Sequence, residues 1–296
     1  GIAIPARISA LTGIDQSMVE GQPPAEVAMN VLVDWINEHP TVLIAHGVST
    51  DMAFIRENAH EPFFLQAHYT IPHTNNEGGR ATGNGQEVPD YGAYASKDWP
   101  APERGFAAMI SRLDSDIGEM MKLLQELNID RRTLVIFTSD NGPHQEGGHK
   151  MEFFNSNGNL RGFKRDLYDG GIRVPMIARW PGVIQPDTTS NHPSAFWDFL
   201  PTACELANIE PPADTDGISY LPTLLGKPQD QHEYLFWRAG QKFAVRRGEW
   251  KAVRLNDKAA VELYNLKEDL GEQNNLALMY PEKVKELNGL IQKAKK

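Results

Sequence analysis

Asp140 and Asn141 stand side by side where the apolar run 134–137 of TLVIFTSDNG breaks off. Adjacent carboxylate and carboxamide oxygens are hard donors, better suited to Ca²⁺ or Mg²⁺ than to zinc. The same Asp-Asn-Gly stretch also reads as a plain turn, because Asn-Gly is a common turn pair. Two further groups could act beside it. His73 follows Ile71-Pro72 behind the strand-like PFFLQAHYT, which could place an imidazole at the same edge of a sheet. Residues 159–175, NLRGFKRDLYDGGIRVP, set Arg161, Lys164 and Arg165 among glycines ahead of another strand pattern, a composition suited to holding an anion. The only cysteine, Cys204, excludes an internal disulfide and a multi-cysteine metal site. It lies in the amphipathic FWDFLPTACELANI and reads as a small buried hydrophobe rather than a reactive thiol.

These groups need a scaffold that brings strand ends together. Residues 25–38 space apolar side chains at helical intervals behind Pro23-Pro24, and 41–48 and 62–70 read as strands. Residues 74–102 form a long polar loop, of a length that is commonly functional or mobile. The strongest helix is expected over 103–127. There Phe106, Met109, Ile110, Leu113, Ile117, Met120, Met121, Leu124 and Leu127 recur every three or four residues. The run into Asp140 then has the continuous apolar character of a strand buried on both faces. A second polar segment (141–173), a strand (174–182) and a helix (194–207) follow. This order predicts an α/β layered sheet of parallel type with helices on both faces, and in such sheets ligands sit at the carboxyl ends of strands. After Pro228 the short runs YLFWRA, KFAVRRGEW, WKAVRL and VELYNL predict an antiparallel meander, closed by a helix at 281–294.

Composition sets limits. A chain of 296 residues buries a full core and is too long for one minimal domain. The net charge of −10 disfavours an electrostatic grip on nucleic acid, and no apolar run approaches the roughly 20 residues that span a bilayer. Gly1-Ile2-Ala3-Ile4-Pro5 shows no basic segment followed by an apolar one, so no signal peptide is expected there. That leaves the compartment open, periplasmic or cytoplasmic.

The order PFFL, PH, a long helix, FTSDNG, LRGFK, YDGGIRVPMIARWPG, DGISYLPTLLG, AVRRGEWKAV and LYNL…EQNN resembles the C-terminal two-thirds of a type I sulfatase, from about residue 54 to the end. The resemblance implies an alkaline-phosphatase-like α/β fold and hydrolysis of sulfate esters, aryl or carbohydrate, with bound Ca²⁺. It places Asp140 and Asn141 as metal ligands, His73 in contact with the sulfate ester and Lys164 on the sulfate charge. Two local departures stand out. Phe163 replaces the usual glycine beside Lys164, where it could crowd it, and Asp169 replaces the usual glutamate before Gly170-Gly171.

The front of the chain departs further. The family's paired N-terminal aspartates, its C/S-x-P-x-R nucleophile motif (matured to formylglycine) and a GKWH-like element are not found. Against that motif Ala3 stands where the nucleophile belongs and Arg7 at the motif arginine. Residues 2–55 resemble instead a fragment of a DEDD-type 3′–5′ exonuclease. Its LTGI element matches 11–14, and Asp51 falls at the second acidic motif. The expected organisation is therefore an exonuclease-like fragment over 1–55, a partial sulfatase core over 56–232 and a C-terminal subdomain over 233–296, with a chimeric seam near residues 52–56. Three functions compete: a sulfuric ester hydrolase, a catalytically inactive remnant binding Ca²⁺ or sulfate esters, and an exonuclease fragment. The expected partner is a sulfate-ester small molecule or glycan, with neither nucleic acid nor membrane.

Overall fold

The computed structural model describes residues 41–45 and 48–295. The helix expected over 25–38 lies outside them. Two compact units share the chain, one of Gly1–Tyr69 with Asp116–Leu127 and one of Thr70–Ser115 with Asn128–Lys296.

In the first unit, strands β1 (Thr41–Ala45) and β2 (Phe63–Ala67) pair in parallel, Thr41 opposite Phe63 and Ala45 opposite Ala67. Parallel neighbours need a crossover. Helix α1 (Val48–Asn58) supplies it, with Phe54 and Ile55 buried and the Phe54 ring edge-on to Phe63 at 5.9 Å.

In the second unit, helix α2 (Asn76–Thr82) breaks the expected loop 74–102 and is capped by the Asn75 side chain, which accepts from Gly78 N. The long helix α3 (Ala101–Glu126) has residues in both units. Met109 and Leu124 of its periodic face are buried, with Leu123 beside them, while Ile110 of that face is exposed. The helix stops before Asn128, whose φ of 57° is a left-handed conformation that asparagine tolerates. Strand β3 (Val135–Thr138) carries the apolar run into Asp140. It is half-buried, not enclosed on both faces, and β4 (Met176–Arg179) pairs with it antiparallel, Val135 opposite Arg179. The parallel expectation fails for this pair: the segment between the strands, 139–175, supplies no crossover helix longer than the single turn 169–172 and returns β4 antiparallel beside β3. Within that loop α4 (Asp169–Ile172) forms a single turn, and helices α5 (Phe199–Leu206) and α6 (Leu221–Leu224) follow. Cys204 is buried in α5, as its context predicts.

The C-terminal meander forms as expected. Strands β5 (Leu235–Ala239), β6 (Lys242–Arg247), β7 (Trp250–Arg254) and β8 (Glu262–Asn265) pair antiparallel in that order. The β6–β7 connection is two residues long, and Gly248 at φ 58° supplies the positive φ that such tight hairpins require. Alternation sorts the two faces. Phe243, Val245, Ala252 and Leu263 pack on Leu287 and Ile291 of helix α7 (Pro281–Ala294). Ala244, Val253 and Tyr264 pack on Leu167 and Tyr168, the residues that lead into α4. That second face is what ties the sheet to the site.

Candidate active site

Lys164 Nζ lies 3.2 Å from His73 Nε2, across 91 residues of sequence. An ammonium can only donate, so Nε2 accepts. The proton then sits on Nδ1, which donates to the Thr74 carbonyl at 2.9 Å. His73 is exposed, whereas the Lys164 side chain is 14% exposed. Phe163 therefore does not keep Lys164 from the histidine.

The loop that carries His73 is pinned by a second imidazole, His144. His144 is buried, and its Nδ1 accepts from Glu146 N at 3.2 Å and from the Thr74 hydroxyl at 3.4 Å. Its Nε2–H donates to the Pro72 carbonyl at 3.2 Å. Burial pushes the His144 pKa below the ordinary imidazole value, which agrees with a neutral ring. Gln86, fully buried, donates from Nε2 to Thr74 Oγ1 and to the Glu146 carbonyl.

Asp140 and Asn141 sit on the loop after β3. That loop is fixed by main-chain hydrogen bonds from Gly142 N to Gly171 O (3.0 Å) and from Lys164 N to Pro143 O (2.8 Å). A Cβ on Gly142 would lie 1.8 Å from Gly170 O, so only glycine permits this approach. The backbone thus joins the Asp140–Asn141 loop to the Lys164 loop. Asp140 is exposed, and Asn141 Nδ2 donates to the Gly142 carbonyl at 3.1 Å. That leaves the Asp140 carboxylate and Asn141 Oδ1 without hydrogen-bond donors among the described residues. In kind, these two oxygens fit a hard cation. In number they supply a fraction of the six to eight ligands typical of Ca²⁺, and among the described residues no group of three or more His, Cys, Asp or Glu is placed to hold a metal.

Groups that the sequence did not single out, among them Glu146, Lys251 and Glu272, join residues that it did in shaping the site. Glu146 meets Arg165 Nη1 at 2.7 Å and Lys164 Nζ at 3.7 Å. The hydrogen bond from Arg165 holds its carboxyl below the usual range. Asp169, at the start of α4, is buried against Lys251 Nζ at 2.6 Å, and the same ammonium lies 2.9 Å from Glu272 Oε1. Glu272 Oε2 also accepts from Asp169 N at 2.6 Å. Beside this cluster the Arg161 guanidinium stacks 3.8 Å from the Tyr168 ring centroid and donates to Tyr264 Oη and the Glu272 carbonyl, both at 2.9 Å. Elsewhere in the unit the buried Glu103 holds His149 Nδ1 at 2.6 Å under the Phe106 ring. Asp51 is buried in the first turn of α1, a position that does not present it to solvent.

Comparison with known proteins decides the family. The sequence profile described as Sulfatase matches residues 12–209, and that described as N-sulphoglucosamine sulphohydrolase, C-terminal, matches 160–295. An N-acetylgalactosamine-6-O-sulfatase of Bacteroides thetaiotaomicron is 34% identical over 209 residues, covering 63% of this chain and 41% of that protein. Arylsulfatase A of Homo sapiens is 31% identical over 251 residues, covering 81% of this chain and 45% of its own length. A solved structure titled for the metabolism of glycosaminoglycans by B. thetaiotaomicron matches with TM-score 0.66 and 28% identity, over 84% of this chain and 53% of that one. The chain thus spans less than half the length of these two curated relatives. Residues 12–55 fall inside the sulfatase match, so the exonuclease resemblance of the front segment has no support and is withdrawn. The profile match, the relatives and the shared fold together place the chain in the sulfatase family, with the type I sulfatases of the alkaline-phosphatase-like superfamily.

Proposed function

We propose that this chain carries the sulfate-contacting part of a sulfuric ester hydrolase site and binds sulfate esters, carbohydrate or aryl, without turning them over. The observation that carries the reading is the Lys164–His73 contact at 3.2 Å, on loops joined through the backbone to Asp140 and Asn141. A sulfate monoester presents three oxygens that share one negative charge. Lys164 would take one of them, exchanging His73 for the anion. His73, released at Nε2, would face the bridging ester oxygen. Asp140 and Asn141 would hold Ca²⁺ or Mg²⁺, which withdraws charge from sulfate oxygens when bound.

Hydrolysis itself breaks the ester's sulfur–oxygen bond, transferring the sulfuryl group to water and a proton to the alcohol. It needs a nucleophile. Ala3 occupies the position where the family motif would put one, and Cys204 is buried in α5. The relatives' names, which specify a sulfated sugar and aryl sulfates, support this substrate class. A chromogenic aryl sulfate, assayed on the folded chain with and without Ca²⁺, tests the reading. Binding without turnover is expected, together with Ca²⁺-dependent thermal stabilisation that Asp140→Ala removes. Turnover would mean that another nucleophile acts.

A further inference from the structure

Glu146 places a carboxylate where an anion site would be expected to present only cations. Its Oε1 takes a hydrogen bond from Arg165 Nη1 at 2.7 Å, and its Oε2, shielded from solvent and without a hydrogen-bond donor, lies 3.7 Å from Lys164 Nζ. Its backbone is fixed, the N–H tied to His144 Nδ1 and the carbonyl to Gln86 Nε2, and the carboxylate is held by Arg165. Arg165 reaches it from a left-handed backbone conformation, φ 76°, which a non-glycine residue holds only when the surrounding structure enforces it. The charged and titratable groups around Glu146 are thus Lys164, Arg165 and His144, with His73 beyond Lys164.

We propose that Glu146 is a specificity-determining residue that favours monoanionic sulfate esters over dianionic phosphate esters of the same shape. The inference rests on the reading of Lys164 and His73 as the sulfate site. Sulfate and phosphate monoesters are both tetrahedral and nearly equal in size, so shape separates them poorly and charge must do so. A sulfate monoester carries one negative charge, whereas a phosphate monoester, with a second pKa near 6, carries two above neutral pH. A fixed carboxylate beside the lysine repels the dianion twice as strongly. At an effective dielectric constant of about 40 and a separation of about 6 Å, one ligand charge changes affinity about tenfold and two change it about a hundredfold.

The test is calorimetric titration of the full chain and of Glu146→Gln with 4-nitrophenyl sulfate and 4-nitrophenyl phosphate at pH 8. Glutamine keeps the size of the side chain and an acceptor for Arg165. The expected result is a gain of about tenfold for the sulfate ester and about a hundredfold for the phosphate ester, moving the preference towards phosphate by about ten. Equal gains for both esters, no gain, or a loss overturn the proposal while leaving the sulfate site in place. If neither ester binds to either protein, the sulfate site itself is refuted and this inference falls with it.

Discussion

Lys251→Met removes the ammonium that faces both Asp169 and Glu272 in the buried cluster beneath α4. The lysine side chain is fully buried, and the two carboxylates are 5% and 0% exposed. Methionine fills much the same volume, so packing changes little and the effect is electrostatic. Taking one partner from a buried ionic cluster costs about 3–5 kcal/mol, because the carboxylates stay buried without their ammonium and the half-exposed Arg173, 3.8 Å from Asp169, offsets Asp169 alone. At roughly 2–4 °C per kcal/mol the melting temperature falls by on the order of 10 °C. The pH dependence gives a second, sharper signature. Burial already raises the Glu272 pKa. A carboxyl whose folded-state pKa is raised makes the folded state bind more protons than the unfolded state, between the ordinary carboxylate value and the raised one. Stability therefore declines as pH rises through that window. Without Lys251, which lowers it, the Glu272 carboxyl is pushed higher still and the window widens. The Lys251→Met deficit should be largest at pH 8 and shrink at pH 5, and adding Asp169→Asn and Glu272→Gln should restore most of it at pH 8. Thermal denaturation at the two pH values is the assay. A deficit below about 1 kcal/mol at pH 8, or the same deficit at both pH values, would refute the reasoning.

Other perturbations have defined outcomes. Lys164→Ala removes a charge-assisted donor that contributes about 1.5–3 kcal/mol, so its dissociation constant for an aryl sulfate should rise by about 10- to 100-fold, read by calorimetry. In Gly142→Ala the added methyl meets the Gly170 carbonyl at 1.8 Å, and backbone must move to admit it. Destabilisation of about 3 kcal/mol is expected in thermal melts, with loss of any Ca²⁺-induced shift. The depressed pKa of His144 means that the unfolded chain binds more protons than the folded one just below the ordinary imidazole value. That share of stability is present above about pH 6.5 and lost as pH falls towards the folded value, so His144→Gln should flatten the melting profile between pH 7 and pH 5.

What the sequence disclosed depended on how local each signal was. The apolar run ending in Asp140–Asn141, the helical period of α3 and the turn-punctuated meander all follow from neighbouring residues, and the structure shows each of them. The His73–Lys164 pairing was legible only through family resemblance, since nothing in either segment names the other. The direction of β4 was not legible, because four-residue strands carry no mark of parallel or antiparallel pairing. Glu146, inside HQEGGH, has no local signal at all, and its role arises from two cations brought to it by a loop of later sequence. Lys251 misleads in the opposite sense. A charge in an alternating strand ordinarily marks the solvent face, yet this one shares its face with Val253 and is buried against Asp169 and Glu272. The exonuclease reading of residues 2–55 failed for a related reason, since it rested on short segments taken in order with one motif aspartate, Asp51, and most of that stretch lies inside the sulfatase match.

The most direct test of the account is a calorimetric titration of the folded chain and of Lys164→Ala with an aryl sulfate. The account predicts saturable binding to the chain and its loss, by about 10- to 100-fold, in the variant. No binding, or binding that is indifferent to Lys164, would contradict the assignment of Lys164 and His73 as a sulfate-ester site.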